Sequence, residues 1–128
     1  MKEVYVGTYE MGAHPVRLYV ASGTGAHTEF MPKDKLSMTM TIGMNHKHWR
    51  HVLGSLLHEA QESGMYNLGL SYQNYGWLNN QTSSFMFMMT HEQFEECCCR
   101  AADLISNCQV DLHAAWQKWQ KHNKKGGK

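Results

Sequence analysis

The sequence predicts an α+β domain, with a small, mainly antiparallel sheet packed by about three helices. Three observations lead there. Residues 2–44 hold short runs of β-branched, aromatic and alternating apolar residues. At Asn45 the apolar period changes from two to the spacing of a helix. After a short apolar run at residues 83–89, helical spacing returns and persists almost to the end.

The first two strands are "KEVYVGTY" (Lys2–Tyr9) and "PVRLYVAS" (Pro15–Ser22), separated by Gly12 and Pro15, which break the chain. "SGTGAH" makes a glycine turn, from which "HTEFM" pairs back as a short edge strand. "LSMTMTIGM" alternates throughout: Leu36, Met38, Met40, Ile42 and Met44 point one way, and Ser37, Thr39, Thr41 and Gly43 the other. That is the pattern of a half-buried strand.

The first helix spans about Asn45 to Ser63, with Asn45 as N-cap and Gly64 at its end. Trp49, Val52, Leu53, Leu56, Leu57 and Ala60 form its apolar stripe. Residues 66–83 are rich in Asn, Gly and aromatics, and read as a lid or substrate-facing loop, or as an irregular segment covering the core, with room for a short hairpin. "SSFMFMM" (Ser83–Met89) is apolar on both faces, as a central strand would be. Thr90 opens a second helix, with Gln93 completing a capping-box pattern. Its buried stripe runs through Phe94, Cys97, Cys98, Ala101, Leu104, Ile105 and Cys108. Asp111 caps a third helix that presents Leu112, Ala115, Trp116 and Trp119. No repeat or boundary divides the chain, so residues 1–122 form one domain and 123–128 a flexible basic tail.

Composition narrows the function classes. The 128 residues are 42% hydrophobic and 18% charged, a globular balance. A net charge of +1 gives no electrostatic case for nucleic acid or anionic lipid, and the lysine run "KHNKKGGK" alone is a weak one. The start lacks the apolar region of a secretory signal, and no window is apolar enough to span a membrane. Three of the four cysteines are contiguous, which is not a disulfide framework. These features lead us to expect a soluble, cytoplasmic protein. The ten methionines fall mostly at strand positions and read as adaptable core filler.

One stretch carries chemistry. In "VLGSLLHEAQESGM", His58 and Glu62 are one helical turn apart on the face opposite the apolar stripe, with Glu59 between the two faces. Side chains at i and i+4 can close on one ion, and the residue after the first can reach a water that the ion activates. Such pairs also arise on wet helix faces with no metal, where they make weak surface contacts. A third ligand must come from elsewhere. His91, at the first turn of the second helix, is the best supplier, while His51 lies two turns from His58.

These residues carry a resemblance. "VLGSLLHEAQE", after an alternating strand, is similar to the active-site helix of zincin-type metallopeptidases. It is closest to small phage-encoded proteins of that class, with His-Glu-x-x-Glu on one helix and a histidine opening a later one. Over about Leu36 to Lys121 the resemblance implies a zincin-like fold with zinc held by His58, Glu62 and His91, and Glu59 as general base. Glu62 stands where the usual motif has a second histidine.

Two functions follow as expectations. One is a zinc-dependent hydrolase acting on a peptide or protein substrate, with Tyr66, Tyr72 and Tyr75 near enough in sequence to donate to it. The other is a non-catalytic phage accessory protein that inhibits a host factor, such as a defence system, through Tyr72, Tyr75 and Trp77. Oligomeric state is left open by the sequence.

Overall fold

The computed structural model describes residues 2–30, 37–68, 71–73, 85–87 and 89–127. The fold is α+β: a four-stranded, mostly antiparallel sheet, a separate two-stranded sheet and two helices among the described residues.

Strands β1 (Val4–Met11) and β2 (His14–Ala21) form an antiparallel hairpin closed by Gly12 and Ala13, with Gly12 at φ 62°. The expected edge strand is β3 (Ala26–Phe30), and the alternating strand is β4 (Met38–Gly43). The sheet order is β1-β2-β4-β3, so β4 enters between its predecessors, parallel to β2 and antiparallel to β3.

That insertion depends on glycine. The β2–β3 turn wraps the end of β4, where Gly43 N donates to Gly25 O at 2.8 Å and Asn45 N to Gly23 O at 2.9 Å. A Cβ on Gly43 would stand 2.5 Å from Gly23 O and 2.6 Å from Gly25 O. Only glycine allows the backbones to approach this closely.

Met38, Met40, Ile42 and Met44 are all buried, as their alternation predicts, and Leu36 lies outside the described residues. Thr41, on the other face of β4, is buried as well, so the strand is more enclosed than its half-polar pattern suggests.

Helix α1 (Trp49–Asn67) begins and ends about four residues later than expected. His48 occupies the N-cap position without a side-chain hydrogen bond, while Asn45 Oδ1 accepts from Trp119 Nε1 at 3.2 Å. Gly64 lies inside the helix, against Cys97 of the second helix, and does not end it. Val52, Leu56 and Ala60 are buried as expected, whereas Leu57 is exposed.

The expected second and third helices are one, α2 (His91–Gly127), whose range includes the lysine-rich end. Thr90 caps it as predicted: Thr90 N donates to Gln93 Oε1 at 2.9 Å, and Gln93 N to Thr90 Oγ1 at 3.1 Å. Asp111 starts no helix: it lies inside α2, and its carboxylate accepts a hydrogen bond from Tyr9 at 2.7 Å. No proline or glycine interrupts residues 91–125, and Cys97, Ala101, Leu104, Cys108 and Leu112 form one continuous buried stripe. Phe94, expected in that stripe, is exposed.

The run at 83–89 is also corrected. Within it Phe85–Phe87 form a strand, β6, which among the described residues pairs antiparallel with β5 (Ser71–Gln73) and not with the main sheet; Ser83, Ser84 and Met88 lie outside the described residues. A short apolar run does not by itself reveal which sheet it joins.

Both helices pack on the sheet and on each other, α1 beside β3 and β4 and α2 beside β1. The core they enclose combines Val16, Leu18 and Val20 of β2 with the β4 methionines and the two helical stripes. No helix among the described residues is long and apolar enough to cross a membrane.

Candidate metal centre

The polar face of α1 carries the site. His58, Glu59 and Glu62 offer ligand atoms that all lie within 4.8 Å of one another. His58 Nε2 stands 3.8 Å from a Glu62 carboxylate oxygen, and these side chains are 68% and 49% exposed. Both point away from the core, as the helical spacing predicts.

Glu59 differs from that pair. It is only 5% exposed, and its Oε1 accepts a hydrogen bond from Thr28 Oγ1 of β3 at 2.6 Å. A buried carboxylate needs such a partner to offset its lost hydration. The bond fixes the side chain between helix and strand, close to His58 and Glu62.

The group can hold a metal ion. One imidazole nitrogen and two carboxylates are donors that zinc accepts, and three protein donors with an open position is the usual composition of a catalytic zinc site. The donor set alone does not single out zinc, since carboxylates also suit manganese and other hard cations.

His91 is not a member of this group. It is the first residue of α2 and is exposed there. The helices run antiparallel, since Trp49 packs on His113 with ring centroids 4.7 Å apart and Gly64 faces Cys97. At 1.5 Å per residue, that register carries His91 roughly 20 Å beyond the level of His58. Its expected support, a central strand, is the separate strand β6. The third donor gathered by the fold is Glu59, from the same helix as the other two.

The remaining expected contact residues are scattered. Tyr66 is half-exposed near the end of α1. Tyr72 belongs to β5, and Tyr75 and Trp77 lie outside the described residues.

A groove of about 510 Å³ leads to the group along α1, bordered by Ala26 of β3 and by His46, Arg50, His51, His58 and Glu59. β3 is an edge of the four-stranded sheet. The imidazoles of His46 and His48 each lie 5.9 Å, centroid to centroid, from that of His51. His46 is held in place by α2, whose Trp116 Nε1 and Gln120 Nε2 donate to its carbonyl at 3.1 and 2.6 Å. Sequence reasoning missed both Thr28 and this groove. Thr28 lies 31 positions before its partner, and no local spacing announces the pairing.

Comparison with known proteins gives no match to a family model, to a curated protein or to a solved structure. The functional reading therefore stands on the geometry of the site.

Proposed function

We propose that this chain binds zinc at the His58–Glu59–Glu62 group and hydrolyses a peptide bond in the adjoining groove. The observation that carries the reading is the clustering of three donors within 4.8 Å at one end of a groove beside an edge strand. Zinc at this position would supply Lewis acidity toward a carbonyl and toward water. The chain's own residues would do the rest. The outer edge of β3, an edge strand among the described residues, would offer backbone hydrogen bonds to an extended peptide, and Thr28 orients Glu59.

Glu59 has two assignments open to it, metal donor or general base, and Glu59→Gln separates them. Glutamine keeps the size and an oxygen acceptor for Thr28 but removes the charge. Retained zinc with lost cleavage of a fluorogenic peptide library makes Glu59 the base, and lost zinc makes it a ligand. Cleavage that persists unchanged in Glu59→Gln refutes the hydrolase reading.

The separation of His91 from the group favours a second reading, in which the domain binds a host protein without catalysis. Capture of the same target by wild-type protein and by a Glu59→Gln, His58→Ala variant, with no cleavage by either, selects it.

A further inference from the structure

The groove is electrically one-sided away from the metal group. Arg50 is exposed on its border and forms no ion pair among the described residues. His51 stands beside it, within reach of the rings of His46 and His48. The N-terminus of α1 adds to this field, having no capping side chain and no acidic residue in its first turn. Among the described lining residues the sole carboxylate is Glu59. It lies roughly 13 Å along the helix axis from Arg50, by the rise per residue.

We infer that the groove binds acidic peptides, seating a glutamate or aspartate carboxylate against Arg50 and His51. A guanidinium with no ion-pair partner among the described residues is suited to a carboxylate, which it can engage with two parallel hydrogen bonds. The helix offset also sets a distance. An extended chain advances about 3.3 Å per residue, so roughly four residues separate the anchored acidic side chain from the backbone segment beside His58 and Glu59. This spacing rests on the proposed hydrolytic site. The carboxylate anchor does not, because none of its residues belongs to the metal group.

The test is fluorescence anisotropy with a labelled, glycine- and alanine-based nonapeptide carrying three consecutive glutamates near one end, and its glutamine counterpart. Both are titrated at pH 7 with chelator-treated protein, so that metal plays no part. The glutamate peptide is expected to bind at least about tenfold more tightly than the glutamine peptide, with Arg50→Ala erasing most of that difference and Arg50→Lys only part. Equal affinity for the two peptides, or unchanged binding by Arg50→Ala, overturns the inference. If the preference holds and the metal-loaded protein cleaves neither peptide nor a wider library, the hydrolase reading falls and the acidic-peptide site stands. Cleavage without any acidic preference reverses this: the hydrolase reading stands and the acidic-peptide site falls.

Discussion

Thr28 Oγ1 donates to Glu59 Oε1 at 2.6 Å, tying an edge strand to the helix that carries the candidate metal group. A helix alone sets His58 and Glu62 side by side, but this bond is what holds the buried Glu59 carboxylate near them. The site is thus a property of the α1–β3 contact as well as of the motif.

Thr28→Val keeps the side-chain shape and removes the donor. The Glu59 oxygen would then be buried without its partner, at a cost of about 1–3 kcal/mol. Chemical denaturation should show that loss, and zinc affinity should weaken with it. A variant as stable as the parent, with equal affinity, would show that the bond contributes neither to stability nor to positioning.

Two glycine substitutions should move stability in opposite directions. Gly43→Ala forces a Cβ to within 2.5 Å of a backbone oxygen, which must shift, and should cost about 2 kcal/mol or more. At Gly64 a Cβ meets Cys97 O at 3.6 Å, an ordinary contact inside a helix. Gly64→Ala should therefore stabilise by about 0.5–1 kcal/mol. Thermal or denaturant unfolding of the pair checks both signs.

The cysteines predict an alkaline response. Burial, and then the charge of Asp111, push the Cys108 thiol up from 9.0 to about 12. Burial first also raises Cys97. The folded state holds these protons more tightly than the unfolded chain does. Their contribution is complete below pH 9 and disappears as pH rises toward 12. Unfolding free energy should fall from about pH 9 upward, more gently in Cys108→Ala. An equally steep decline in that variant would remove Cys108 as a cause.

Thiol labelling gives an independent check on the same helix. Cys99 is exposed, Cys98 partly so, and Cys97 and Cys108 are buried. Iodoacetamide at pH 8 should modify Cys99 first and Cys108 only on unfolding. Peptide mapping that finds Cys108 alkylated in the folded protein would contradict the packing of α2.

Much of this architecture is legible in the residues. Strict alternation from Met38 to Met44 and the change of period before Trp49 identify β4 and α1, and Thr90 with Gln93 identifies the start of α2. These are local signals, written within a few residues. Asp111 misleads because a carboxylate shortly before an apolar helical face looks like a cap, while its hydrogen-bond partner, Tyr9, is 102 positions away. Phe85–Phe87 mislead because an apolar run does not name its partner strand. At the site, His58 and Glu62 follow from helical spacing, whereas the placements of Glu59, Thr28 and His91 depend on how α1 meets β3 and α2. That information is tertiary.

The sharpest check on a metal centre in α1 is the zinc content of untagged protein, equilibrated with zinc and then dialysed. About one zinc per chain is expected in the wild type, lost in His58→Ala and Glu62→Ala and retained in His91→Ala. Wild-type protein without bound zinc, or His58→Ala protein that keeps it, would contradict such a centre.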